Sequence, residues 1–206
     1  SFFSGVLEME TGLSVLVPNR FLKGKNYKVA YLLHGLCGRS GDWLEYTQLP
    51  VYAENYNTIF IMPEVARSFY SDMSLGQKFF TYVSRELPEI CKSLFHVSSE
   101  RQDTLVLGGS MGGYGALKCA LSQPDHYGYC GAFSSACLFL KEGLENQRKY
   151  GKTEEYEKRY GRQLLNDFEA IFGPELAWKP EFEILELAKK VQGREHKPQI
   201  YMACGT

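Results

Sequence analysis

Residues 108–112 read Gly-Gly-Ser-Met-Gly, a G-x-S-x-G array. An apolar run, "DTLVL", leads into it and a run with helical spacing, "MGGYGALKCAL", leads out. A serine on a strand-to-helix turn, flanked by glycines, is what a nucleophile elbow requires, because the serine takes a strained conformation and neighbouring backbone must pass close by. Ser110 is therefore a candidate nucleophile for acyl transfer. An idle serine on a glycine-rich turn is the competing reading. Anion binding at the helix start is a third, but the turn lacks the G-x-x-x-x-G-K-[ST] and G-x-G-x-x-G spacings that cradle phosphates.

Acyl chemistry also needs donors aimed at the oxyanion. The stretch "LLHGLCGRSGDW" follows the apolar run "KVAYLL". In elbow-type hydrolases the loop after such a strand gives one backbone N–H, and the residue after the nucleophile gives the other. Leu36 and Met111 are the candidates, and one such donor is worth ~3 kcal/mol of transition-state stabilisation. His34 precedes this loop and is read as orienting it through hydrogen bonds. Among aromatic residues near the presumed pocket, Trp43 and Tyr70 are expected to face substrate, whereas Phe69 and Tyr114 read as packing.

A serine also needs a base and an acid that orients it, in the chain order Ser, Asp, His. By order alone Asp167 and His196 satisfy the rule. Topology argues against them, since a parallel sheet carries its site at the carboxyl ends of the strands. His196 precedes the run "PQIYMACG" and enters at the amino end, about 15–20 Å away. Asp125 and His126, before "YCGAFSS", and His96, before the elbow strand, fall at that same edge.

The elements that would hold these residues are legible as continuous apolar runs. "KVAYLLHG", "TIFIMPE", "DTLVLGG", "YCGAFSS" and "PQIYMACG" suit strands buried on both faces of a parallel sheet. Between them lie helical stretches, among them a stripe of Phe79, Phe80, Val83, Leu87, Ile90 and Leu94. Ahead of them "SGVLEMETGLSVLVPNRF" alternates, which predicts an antiparallel hairpin turning at Thr11-Gly12. The whole predicts a single α/β domain over residues 1–206, a mostly parallel doubly wound sheet with an N-terminal hairpin. Residues 138–178, rich in charge and tyrosine, are too long for an ordinary connection and predict a helical insertion. A solvated helical face and a substrate-shaping lid are both open for it.

The 206 residues suffice for one sizeable core, and the formal charge of −1 has its acids and bases interleaved. That gives no electrostatic reason to expect nucleic acid or an anionic membrane, and favours a small neutral or weakly charged substrate. Six cysteines (37, 91, 119, 130, 137 and 204) show no CxxC or Cys/His spacing. They read as buried free thiols in a reducing, cytoplasmic setting, with no metal and no cofactor implied. The opening "SFFSGVLEME" has no starting Met, basic segment or membrane-length apolar run, and reads as a trimmed start.

Together "LLHGLCGRSGDW", "MPEVARSFYSD", "SRELPEICKSLF" and "GGSMGGYGALKCAL" resemble the esterase D-related esterases, most of all the tributyrin esterase type, from the first hairpin to the last residue. The resemblance implies an α/β-hydrolase fold, hydrolysis of short-chain acyl esters such as acetyl, butyryl or feruloyl-type, Ser110 as nucleophile, and an oxyanion hole from Leu36 and Met111. It also implies an acid just after the strand ending in "CGT" and a histidine on a later loop. Both are expected beyond Thr206, together with a final strand and helix, so the given chain is expected to be nearly inactive alone.

Two other readings stand beside the serine carboxylesterase. One is a catalytically silent hydrolase-fold binding module. The other is an S-formylglutathione hydrolase-type thioesterase, a branch that, by the resemblance, carries a polar residue where Gly109 stands and lacks "HG" at His34-Gly35. A homo-oligomer is compatible with all three.

Overall fold

The computed structural model describes residues 1–19, 21 and 26–205. Arg20, near the end of the stretch expected to form the hairpin, and Thr206 lie outside them.

The chain begins with β1 (Phe2–Ser4) and β2 (Met9–Thr11), an antiparallel ribbon, followed by β3 (Leu13–Leu16) and β4 (Lys28–Leu33). The hairpin is present, but it turns at residues 5–8, and Gly12 instead passes the chain into β3. Glu86 fixes that earlier turn, accepting hydrogen bonds from the Gly5 and Val6 N–H groups and the Ser4 hydroxyl. A half-buried carboxylate that satisfies three donors outweighs the weak turn preference of Thr-Gly.

Two short helices, α1 (Asp42–Glu45) and α2 (Leu49–Ala53), lead to β5 (Thr58–Pro63). After it come α3 (Phe79–Thr81), a π-helical turn over Tyr82–Glu86, and α4 (Leu87–Phe95). Then follow β6 (Thr104–Gly109), α5 (Met111–Ser122) and β7 (Tyr129–Phe133). The insertion holds α6 (Leu140–Tyr150), α7 (Glu154–Tyr160) and α8 (Arg162–Phe172), and α9 (Ile184–Gln192) and β8 (Gln199–Ala203) follow.

The main sheet runs β3-β5-β4-β6-β7-β8, parallel except for β3 at one edge. Because side chains alternate along a strand, Val29, Tyr31 and Leu33 of β4 enter the large core, which includes residues of α4, α5 and α9. Ala30 and Leu32 face the other way and meet Trp43, Leu44 and Leu49. That second face is open over β6 and β7, where Leu105, Leu107, Phe133 and Tyr201 line a groove. No helix among the described residues is long and apolar enough to cross a membrane.

The expected stripe over residues 79–94 is only half realised. Phe79, Val83 and Leu87 are buried, but Leu94 is 61% exposed and Cys91 takes the inward place. The π-helical turn explains this, since its i to i+5 bonds take up extra chain and rotate the following face.

Candidate active site

Ser110 stands between β6 and α5 with φ 55° and ψ −117°, a left-handed conformation that non-glycine residues rarely adopt. Its N–H donates to the Phe133 carbonyl of β7 (2.9 Å), and its own carbonyl accepts from Tyr114 (3.2 Å) and Ala136 (3.0 Å). These bonds over-determine the strained turn, which is how such strain persists in a folded chain. The side chain is left exposed.

The flanking glycines are where backbone meets backbone. A Cβ on Gly112 would overlap the Leu33 carbonyl oxygen and lie 2.7 Å from its carbon and 2.8 Å from the His34 oxygen. One on Gly108 would overlap the Gly112 carbonyl. Gly109, inside the motif, is different, since its nearest atom would be the Phe133 carbonyl oxygen at 3.9 Å.

The loop after β4 arrives beside the serine: a Cβ built on Gly35 would sit 3.8 Å from the Ser110 Cβ. Leu36 follows directly, half-buried against the core, and Met111 opens α5 with its side chain fully buried. As the first residue of its helix, Met111 has an N–H without an intrahelical acceptor. Gly35, with Leu36 after it, and Met111 thus flank Ser110.

His34 is buried, and its ring is engaged away from Ser110. Nε2 accepts from the Val65 N–H (3.2 Å) and Nδ1 lies 2.8 Å from the Gly35 carbonyl, a pattern that requires the Nδ1–H tautomer. An Nε2 used as acceptor has no proton for Glu64, whose Oε1 is 3.4 Å away. Glu64 is instead gripped by the N–H groups of Ser40 and Ala66, each at 3.0 Å. Burial works to raise its carboxyl, but those two N–H groups outweigh it and hold it below the usual carboxylate range.

The expectation that Tyr70 faces substrate is corrected. Tyr70 offers no surface to a ligand: it is completely buried, and its hydroxyl donates to the His34 carbonyl (2.9 Å). Trp43 packs on the open face of the sheet beside Leu32 and Leu107, with its indole N–H directed at the Leu33 carbonyl (3.3 Å), because a half-buried indole donor needs an acceptor. It lines a groove on that face to which Ser110 does not contribute. Phe69 and Tyr114 are both buried, the first edge-on to Phe168 and the second bonded to the Phe182 carbonyl (2.8 Å). The cysteines divide: Cys91, Cys119 and Cys130 are buried, with their thiols pushed up to about 12 by burial, whereas Cys37 and Cys204 are exposed.

The remaining acids and histidines are scattered. Asp167, on α8, pairs with Arg67 (2.7 Å), so that bridge ties the insertion to the loop after β5. His196 pairs with Asp125 (2.9 Å) at the amino edge of the sheet, where His96 and His126 also lie. Sequence reading missed Lys118, which is fully buried in α5. The signal was available: a helix apolar all round is a buried helix, so its single charged residue is buried too.

With this geometry in hand, a family model described as "Putative esterase" matches residues 4–206. The chain belongs to that esterase family. An acetyl esterase of Caldicellulosiruptor saccharolyticus is 30% identical over all of this chain and 78% of its own length. Among solved structures, the substrate-bound fluorophosphonate-binding serine hydrolase F of Staphylococcus aureus superposes with a TM-score of 0.79 at 26% identity, covering all of this chain and 77% of that one. The S-formylglutathione hydrolase of the same organism gives 0.77, with the same identity and coverage. These relatives support a hydrolase with esterase activity on an α/β-hydrolase fold.

Proposed function

We propose that this esterase is a serine carboxylesterase that hydrolyses short-chain acyl esters through an acyl-enzyme on Ser110. The observation that carries the reading is the exposed Ser110 at φ 55° on the β6–α5 turn. Its hydroxyl oxygen attacks the ester carbonyl, the alkoxide developing on the carbonyl oxygen meets the Leu36 and Met111 N–H groups, the alcohol leaves, and water then releases the acid. No metal or cofactor enters these steps.

The proton on Ser110 needs a base, and among the described residues no histidine ring reaches it. The chemistry therefore requires an imidazole that the described residues do not bring to the site. The similarity to an acetyl esterase supports a small acyl group. The similarity to S-formylglutathione hydrolase supports a second reading, a thioesterase for that small thioester.

The test is hydrolysis of p-nitrophenyl acetate and butyrate, with S-formylglutathione in parallel, by the full-length gene product and its Ser110→Ala variant. Turnover that disappears in the variant is expected, with a preference for the oxygen esters. Undiminished turnover in Ser110→Ala would refute the assignment, and a dominant thioester rate would favour the second reading.

A further inference from the structure

Behind the nucleophile, the loop after β5 is held in an unusual shape. Ala66, Phe69 and Tyr70 all have φ between 47° and 49°, three non-glycine residues in the left-handed region within five positions. Such conformations persist only where the surroundings enforce them, and they concentrate at functional sites. The Ala66 N–H is held by Glu64 and the Tyr70 N–H by the Ser68 hydroxyl, and at the end of the loop Lys118 adds a further restraint. Its Nζ donates to the Tyr70 carbonyl (3.2 Å) and the Ser71 hydroxyl (2.8 Å) and lies 4.8 Å from the Phe80 ring centre and 5.3 Å from that of Phe182. No carboxylate touches this buried ammonium among the described residues. Two oxygens of one loop and a cage of rings are what hold it.

Tyr70 then carries the constraint forward. Its ring lies flat on α5 at Gly115, where a Cβ would overlap the ring and come within 3.0 Å of the Tyr70 Cβ. Its hydroxyl ends on the His34 carbonyl. That carbonyl belongs to the peptide joining His34 to Gly35, the residue beside Ser110, and Leu36 is next. The chain of contacts thus runs from two turns along the nucleophile helix, through the strained loop, to the backbone on the oxyanion side of the serine.

We propose that Lys118 and Tyr70 are positioning residues for the reaction at Ser110, locking the His34–Leu36 backbone against the helix that carries the nucleophile. The proposal rests on the reading of Ser110 given above. Neither side chain touches substrate; both act through the aim of the Leu36 N–H. A donor displaced by a fraction of an ångström loses more in the transition state than in the ground state, so the effect falls on kcat.

The experiment compares Tyr70→Phe, Lys118→Met, Tyr114→Phe and Ser110→Ala in the full-length protein. Rates are normalised to the folded fraction by circular dichroism. Tyr70→Phe keeps the ring and removes only the bond to His34; the expected result is a fall in kcat of about 10- to 100-fold with KM changed less than about 3-fold. Lys118→Met is expected to shift kcat in the same direction. Tyr114→Phe loses an equivalent buried bond elsewhere on the same helix, and should lower stability with kcat unchanged. Unchanged kcat per folded molecule in Tyr70→Phe would overturn the proposal, as would an equal loss in Tyr114→Phe, and Tyr70→Phe decides if Lys118→Met does not fold. Residual turnover in Ser110→Ala would instead mark failure of the nucleophile assignment.

Discussion

Replacing Gly112 by alanine adds one methyl group at the point where α5 crosses the end of β4. That methyl would overlap the Leu33 carbonyl oxygen and lie within 2.8 Å of the His34 oxygen. Carbon atoms rest about 3.5–4.0 Å from such neighbours, so helix and strand must part by about 1 Å. Neither obstacle is a flexible side-chain end; both are backbone in the central strand and the loop after it, so the separation cannot be absorbed by a rotamer change. Overpacking of this kind costs ~1–3 kcal/mol, or about 2–12 °C in melting temperature for a domain of this size. The same displacement moves the Gly35–Leu36 backbone away from Ser110, and a 1 Å misplacement is worth roughly 100-fold in rate. The matched control is Gly109→Ala, whose Cβ meets nothing closer than 3.9 Å and which should keep both stability and turnover. Thermal unfolding and kcat/KM for a p-nitrophenyl ester, measured on both variants, make the comparison. A Gly112→Ala enzyme as stable and active as Gly109→Ala would refute the steric reasoning.

Lys118 and Glu64 give two pH signatures. Burial lowers the Lys118 ammonium to about 8, so the folded state binds fewer protons than the unfolded state between pH 8 and the ordinary lysine value. The cost of burying the charge is present in full below pH 8 and released as pH rises, so wild type should gain about 2 kcal/mol relative to Lys118→Met between pH 8 and 10 in urea unfolding. A flat difference over that range would show the ammonium is not desolvated; above pH 10 the buried Tyr31, Tyr70, Tyr114 and Tyr127, raised by burial, work in the opposite direction. Glu64, held below the usual carboxylate range by the Ser40 and Ala66 N–H groups, contributes stability that is complete above the ordinary carboxyl value and lost as pH falls below it. The group is half exposed, so screening leaves ~1 kcal/mol of it, read as the loss of wild type relative to Glu64→Gln between pH 5 and 2.5.

The parallel strands were legible because each is a short apolar run bounded by Gly or Pro, and β4 to β8 fall where those runs stand. The elbow was legible because its glycines are demanded by close backbone approach, a local requirement that leaves a local mark. What escaped depends on partners distant in the chain. The hairpin turns at residues 5–8 because of Glu86, some eighty positions away, and no turn signal near Gly12 could report that. The stripe over residues 79–94 is read with a uniform helical period, which a π-helical turn breaks. Tyr70 was expected at the pocket as a large aromatic side chain near it, but whether such a ring faces ligand or backbone is set by the nearest carbonyl, here that of His34.

The interlocking of Gly108, Gly112 and the end of β4 bears on how much sequence variation the elbow admits. Because a side chain on Gly108 runs into Gly112, and one on Gly112 runs into Leu33 and His34, neither position can change alone without moving the other or the central strand. A lineage altering its substrate preference is left without a single-step route through Gly108 or Gly112, and Gly109 is the position of the motif that stays open. Adaptation is diverted to surfaces that can change one residue at a time, here the exposed faces of helices α6 to α8, of which α8 is fastened to the loop after β5 by the Arg67–Asp167 pair.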